Sequence, residues 1–262
     1  MLSRVFTQFT ALTQNALREA LSNKVFYGVL VFALLTISAT GVVGALSLHQ
    51  EERLFNDLIF FSSVLFLAGL SVYQGVRSVH QEIQSRTIFT VLTKPVSRTS
   101  FVVGKYLGAA VAILIALLGI AGLQAATAGL LGYELTVQHA YAYYGLMLQL
   151  CIVVAVAMLF SSFSSPVLSS IFAGAVFLAG SLSPQLREAV SYFAEKNSPF
   201  KYVAEAAMFI LPDFEKLNLS FELTHAIFVP TDYILSMSGY AFAYVGMTLS
   251  LTCIIFSRRD FS

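Results

Sequence analysis

Residues Arg77 to Lys105 read RSVHQEIQSRTIFTVLTKPVSRTSFVVGK, and this polar stretch lies between two long apolar runs. Its charged side chains are Arg77, Glu82, Arg86, Lys94, Arg98 and Lys105. The whole chain is 57% hydrophobic and only 11% charged, whereas soluble domains carry roughly 25% charged residues. The composition therefore indicates a membrane protein that concentrates charge in one loop, where a partner outside the bilayer can bind it.

Six apolar runs are expected to cross the membrane as helices, because a hydrocarbon core of roughly 30 Å needs about 20 residues at 1.5 Å each. None of the six contains Asp, Glu, Lys or Arg, and they cover residues 25–48, 58–76, 106–133, 140–160, 167–182 and 233–257. The short polar segments at 49–57, 132–139 and 161–166 are expected to form turns. The sequence thus predicts an all-α polytopic membrane protein with a single transmembrane domain over residues 1–262.

Two further segments are expected to lie in the membrane interface. Residues 1–23 place apolar side chains at helical spacing on one face, which is typical of an amphipathic interfacial helix. Residues 184–230 hold many charges and repeat apolar residues at helical spacing on both sides of Pro199. We interpret them as one or two external interfacial helices, followed by a fixed turn at LPDFEKLN, residues 211–218.

The distribution of basic residues predicts the orientation. Six spans place both termini on one side, and that side would carry Arg4, Arg18, Lys24, Arg77, Arg86, Lys94, Arg98, Lys105, Arg258 and Arg259. The short loops of the other side carry only Arg53. Because cytoplasmic loops are enriched in Lys and Arg, both termini and the 77–105 stretch are expected in the cytoplasm, with residues 184–230 outside.

The sequence offers no catalytic motif. It contains no GxxxxGK[ST], HExxH or GxSxG pattern, and its four histidines fall in different segments. The spans hold no ionisable residue at mid-membrane, where proton- and sodium-coupled transporters usually place one. If the chain moves a solute, the energy is expected to come from another subunit. A polar lining would then need neutral groups such as Thr36, Ser38, Thr40, Gln124, Thr127 and Gln149, which could equally form hydrogen bonds between helices.

The polar loop has the pattern of a helix, a corner and a second helix. Residues 75–93 can continue the second span as a helix, with Glu82 and Arg86 at i, i+4 in the favourable order for an ion pair. Pro95 is expected to end that helix. Ser97, Thr99 or Ser100 can then cap the next one. The loop would present a short rigid projection on two membrane helices.

These residues resemble the loop between the second and third spans of ABC-2 type permeases, the membrane subunits of ATP-binding-cassette exporters. The resemblance rests on Glu82, Arg86-Thr87-Ile88, Val91-Leu92-Thr93-Lys94-Pro95-Val96-Ser97-Arg98 and Val103-Gly104-Lys105. Arg86-Thr87 stands where the family more often has Gly-Thr. The predicted N-terminal helix, six spans and external helices also match the family's plan. The LPDFEKLN turn is similar to small permeases of copper-enzyme maturation systems.

The resemblance implies that the export path and the ATPase activity belong to different subunits. Two permease chains, identical or paralogous, would form the export path in a bacterial inner membrane. Separate ATPase subunits, with their ATP and Mg²⁺, would dock against the N-terminal helix and residues 77–98 of the coupling loop, which we place at 77–100. This chain would bind no cofactor, and a net charge of +1 argues against nucleic acid as a partner.

The resemblance also implies roles for single residues. Glu82 and Arg86 would orient the coupling helix, Pro95 would fix its corner beside Lys94, and Arg98 with Lys105 would anchor it at the head groups. A simpler interpretation is that Pro95 only ends a helix and that the basic residues only follow the charge rule for cytoplasmic loops.

The C-terminal Arg258 and Arg259 are likewise expected to be membrane anchors.

A function other than export stays open. The chain could be a scaffold that passes ATPase-driven motion through residues 184–230 to a periplasmic protein, without moving a solute. An intramembrane enzyme is not supported, because no set of nucleophile and base, and no metal-binding set, is recognisable in the sequence.

Overall fold

The computed structural model describes residues 51–84, 98–195, 208–224 and 227–258, together with Gln14, Arg18, Gly28, Val31, Phe32, Leu34, Leu35, Thr36, Ser38, Tyr202 and Ala206. All regular structure in this part of the chain is helical, as predicted. The α-helices whose bounds fall within the described residues are α1 (Glu51–Gln84), α2 (Arg98–Leu131), α3 (Val137–Ser161), α4 (Pro166–Ser181), α5 (Ser183–Glu195), α6 (Ser220–Thr224) and α7 (Thr231–Arg258). A 3-10 turn spans Glu215–Leu217.

Helices α1, α2, α3 and α7 are each long and apolar enough to cross a membrane. Helices α4 and α5 together supply a fifth candidate, bent by 69° where they meet. The chain is therefore a multi-pass membrane protein. Most of the predicted first span, residues 25–48, and most of the predicted helix at 1–23 lie outside the described residues, so the count of six spans stays a prediction.

The helices alternate in direction, and this gives the bundle two distinct ends. The end reached by Gln84 and Arg98, which border the predicted coupling loop, is the loop end. The opposite end is the strap end. It holds the start of α1, the turn between α2 and α3, and the segment 211–223, which we name the strap.

Helix α3 is the centre of the bundle, since it packs on α1, α2, α4 and α7. In its most apolar stretch 72% of residues are buried, against 28% in α7.

Helix α1 is longer than predicted at the strap end. Residues 51–57 belong to the helix, so the prediction of a polar turn over 49–57 is wrong for that part. Acidic side chains near a helix N-terminus are favourable, and this first turn carries Glu51 and Glu52. The turn also has apolar contacts, because Phe55 is buried and its ring meets Tyr133 edge-on, with 5.4 Å between centroids.

The turn between α2 and α3 is short and tightly defined. Gly132 adopts a φ of +77°, the left-handed conformation that ends many helices and favours glycine. The next amide, of Tyr133, donates to the Ala128 carbonyl at 2.9 Å, as in a Schellman cap. Helix α3 then begins at Val137, so the predicted turn at 132–139 covers only residues 132–136. Helix α4 begins with Pro166 in its first turn, where the missing amide hydrogen has no cost.

Candidate functional site

The predicted coupling loop begins as expected. Helix α1 continues to Gln84 and so carries the backbone of Glu82, and α2 starts at Arg98. The part predicted to form the corner, including Arg86, Lys94 and Pro95, lies outside the described residues. The roles assigned to these residues therefore stay predictions.

The predicted membrane anchors Lys105 and Arg258 lie on two helices, α2 and α7. Lys105 is on α2, where only 4% of the residue is exposed. Helix α7 ends at Arg258, and Arg259 is outside the described residues. Their function as head-group anchors stays a prediction.

At the loop end, α1 and α3 approach each other unusually closely. A Cβ atom at Gly75 would lie 2.6 Å from the Ala157 Cβ and 2.8 Å from the Val154 carbonyl oxygen, so only glycine fits. One turn farther along α3, the Ser161 hydroxyl donates to the Val76 carbonyl at 3.1 Å. This contact connects the two helices beside the start of the loop.

The neutral polar residues of the spans differ in what they contact. The hydroxyls of Thr36, Ser38 and Thr127 each donate to a carbonyl four residues earlier in their own helix, and Gln124 bonds to other helices. Gln149 is different. It is only 4% exposed and lines a cavity. Thr40 lies outside the described residues.

Gln124 belongs to a buried polar network at the strap end. Its Nε2 donates to Asn56 Oδ1 on α1 at 3.1 Å, and the Tyr143 hydroxyl of α3 donates to its Oε1. His139 continues the network, with Nε2 3.3 Å from Asn56 Oδ1. The Thr136 amide donates to His139 Nδ1 at 3.2 Å, which assigns the hydrogen to Nε2 in the neutral ring. These bonds connect α1, α2 and α3, as expected for hydrogen bonds between membrane helices.

The strap lies against α3 and α4 because two glycines leave room for its backbone. A Cβ at Gly145 would lie 2.3 Å from the Leu217 carbonyl oxygen, and one at Gly180 would lie 2.6 Å from the Pro212 carbonyl oxygen. The Phe214 amide donates to the Gly180 carbonyl at 3.2 Å. Its ring is 1% exposed, and three leucines of the strap are also buried: Leu217, Leu219 and Leu223.

Asp213 connects the strap to α5 and α7. Its Oδ1 accepts from the Ser183 hydroxyl at 2.8 Å, and Oδ2 forms an ion pair with Arg187. Lys216 Nζ is 3.6 Å from the same Oδ2. The Asp213 amide donates to the Tyr240 hydroxyl at 2.7 Å. The predicted turn at 211–218 is thus a turn with many defined contacts, and it includes the 3-10 segment at 215–217.

A cavity of about 1010 Å³ lies beside the strap, between α1, α3, α4 and the start of α5. Its apolar wall consists of Phe60, Phe61, Val64, Leu65, Phe177, Leu178, Leu182, Pro184, Phe214, Phe221 and Leu223. Its polar wall holds Asp57, Gln149, Ser181, Gln185, Arg187, Asp213, Glu215, Lys216, Asn218, Ser220, Glu222 and Tyr233. This volume is at the upper end of the range found for sites that bind drug-sized molecules.

Two polar groups in the cavity wall have no hydrogen bond to any residue that the structure describes. The Oε2 atom of Glu222 is buried and unpartnered. Gln149, deep in α3, also makes no hydrogen bond among the described contacts, although it is buried. Buried polar groups usually find partners, so these two groups are exceptions to the usual pattern.

Sequence reasoning missed several of these residues. Gly75, Gly145 and Gly180 are glycines in apolar helical runs, and their spacing carries no sign of a close approach. Glu222 and Asp213 were treated as part of a charged external segment. Among the described residues, no three His, Cys, Asp or Glu side chains are grouped to hold a metal ion.

Comparison with families of known proteins gives a match. The model of a family described as ABC-2 family transporter protein matches residues 9–261. A search of curated proteins found no match.

Proposed function

The chain belongs to the ABC-2 family of transporter proteins, and on this premise we propose that it is the permease subunit of an ATP-binding-cassette exporter. Separate ATPase subunits bind ATP and Mg²⁺ and dock on residues 77–98 from the cytoplasm. A second permease chain, identical or paralogous, completes the path in a bacterial inner membrane, with both termini cytoplasmic. The family and the apolar helices support this assignment.

The observation that supports the coupling most directly is the continuity of α1. This helix lines the cavity from Asp57 to Leu65 and runs without a break to Gln84, where the predicted coupling loop begins. Its 34 residues span about 50 Å at 1.5 Å per residue. At Gly75 it is held against α3 by backbone contact. A push at the loop therefore moves a cavity wall, and closure of the ATPases is passed to the path in this way.

The coupling is tested by the ATPase activity of the assembled complex in lipid vesicles. Glu82→Ala and Arg86→Ala are each expected to lower the stimulation of the ATPase by the permease roughly fivefold, the effect of losing about 1 kcal/mol of coupling. Membrane insertion is expected to be unchanged, as judged by the amount of each variant in the membrane fraction.

Arg53→Ala and Glu188→Ala provide charge-matched controls, because both residues lie at the strap end, in α1 and α5. Both should stimulate the ATPase like the wild type. Full stimulation by both loop variants would overturn the proposed coupling.

The alternative, a scaffold acting on a periplasmic protein, is favoured by one observation. The strap is connected to α3, α4, α5 and α7 through Gly145, Gly180 and the contacts of Asp213, so motion of the bundle reaches the external segment 184–230. The two functions differ in transport. A reconstituted scaffold would hydrolyse ATP with its ATPase and move no solute, whereas a permease would move one.

A further inference from the structure

The cavity beside the strap has the features of a binding site, and its chemistry restricts what can bind. It is lined by four carboxylate residues, Asp57, Asp213, Glu215 and Glu222, against two basic ones, Arg187 and Lys216. Both basic side chains are in ion pairs with Asp213. Asp213, Glu215 and Glu222 together outnumber these two basic residues, so the formal charge of this part of the wall is negative.

Glu222 lines the cavity and carries a poorly compensated carboxylate. Its Oε2 is buried and accepts no hydrogen bond from the residues that the structure describes. A buried charge without a partner is costly, so a positive group in the adjoining cavity is favourable. Gln149 supplies an independent second group, since it is 4% exposed, lines the same cavity and makes no hydrogen bond among the described contacts. Its amide oxygen can turn toward a cation.

The remaining wall is apolar, and part of it faces the outside of the bundle. Phe61 and Leu65 of α1, Leu178 of α4 and Leu182 at the C-terminal end of α4 line the cavity, and each is more than half exposed. This exposed apolar wall suits the apolar body of a ligand.

We propose that this cavity binds hydrophobic cations, molecules that join a positive group to an apolar body, with the charge held by Glu222 and Gln149. In combination with the proposed export function, on which this step rests, such cations are the transported class. The cation can belong to a free organic molecule or to the head group of an aminolipid.

The test is equilibrium binding of radiolabelled tetraphenylphosphonium to the full-length chain in phosphatidylglycerol nanodiscs. Saturable binding is expected, and Glu222→Gln should weaken it roughly tenfold, because the amide keeps the shape of the carboxylate but loses its charge. Gln149→Leu should weaken it several-fold. Glu188→Gln, which removes an exposed carboxylate outside the cavity, should bind like the wild type.

Tetraphenylborate is the matched probe, with nearly the same size and shape but a negative charge, and it should show no saturable binding that depends on Glu222. Equal affinity of wild type and Glu222→Gln for the cation, or saturable binding of both ions alike, would overturn the proposal. If Glu222→Gln fails to fold, Gln149→Leu and the pair of opposite ions decide the question.

The two sources of the cation are separated by the lipid. Adding phosphatidylethanolamine to the nanodiscs should displace the probe if an aminolipid is the natural occupant, and should leave its affinity unchanged if the occupant is a free organic cation. Binding is measured without an ATPase, so the binding test and the coupling test can fail independently. A failure of this inference is therefore distinguishable from a failure of the proposed function.

Discussion

Replacing Gly75 with alanine is expected to destabilise the protein by about 3 kcal/mol, at the upper end of the usual cost of overpacking a core. The added methyl would lie 2.6 Å from the Ala157 Cβ and 2.8 Å from the Val154 carbonyl oxygen. Both are fixed parts of α3, so neither can rotate away and the two helices must separate. The higher helix propensity of alanine, about 1 kcal/mol over glycine, offsets only part of this.

The measurement is thermal unfolding of the purified protein in detergent, at one scan rate. Gly75→Ala should lower Tm by on the order of 10 °C, using about 2–4 °C per kcal/mol for a chain of this size. Gly69→Ala is the matched control, because it lies in the same helix and its Cβ would meet nothing within 4 Å. A Tm for Gly75→Ala equal to that of Gly69→Ala would show that α1 and α3 do not touch as described.

Replacing Gly145 with alanine is expected to detach the strap while leaving the bundle folded. The new Cβ would lie 2.3 Å from the Leu217 carbonyl oxygen, which is closer than any carbon and oxygen can approach without displacement. The strap is the smaller and more external element, so it is expected to move. At a cost of about 2 kcal/mol, local opening of the strap becomes roughly thirtyfold more frequent.

Hydrogen–deuterium exchange reports this opening at individual amides. The amides of Phe214, Leu217 and Leu223 are hydrogen-bonded in the folded strap, and their exchange should accelerate in Gly145→Ala. Those in the middle of α3 should stay protected. Gly174→Ala, in α4 with nothing within 4 Å of its Cβ, should leave strap exchange unchanged. Unaltered strap exchange in Gly145→Ala would be incompatible with the docking described.

The apolar spans could be predicted from the sequence because a membrane leaves a strong signal, namely long runs without charge. The runs at 140–160 and 233–257 match α3 and α7 within three residues, and the run at 106–133 overlaps α2, which begins eight residues earlier, at Arg98. The ends of the helices are harder to predict from the sequence. Polar residues 51–57 resemble a turn, yet they continue α1, because a helix can extend beyond the hydrocarbon core and its acidic first turn is favourable at a helix N-terminus.

The contacts that build the cavity and the strap could not be predicted in the same way. Gly75 and Gly69 lie on the same helix and look alike in the sequence, yet only Gly75 touches a neighbouring backbone. Gln124 and Gln149 are both glutamines in uncharged runs, but one completes a network and the other lines a cavity. Such differences depend on which helix faces lie together, and a single sequence does not specify this.

The central claim is that a separate ATPase drives this chain from the cytoplasmic side, at the loop between α1 and α2. Helix α2 provides two test positions at its opposite ends, Ser97 next to its start and Glu134 in the turn that follows it. Each is replaced singly by cysteine in a chain whose own Cys151 and Cys253 are changed to alanine. Sealed right-side-out vesicles are then treated with a membrane-impermeant maleimide. The account predicts that Glu134→Cys is labelled at once and Ser97→Cys only after the vesicles are permeabilised; labelling of Ser97→Cys in sealed vesicles would contradict it.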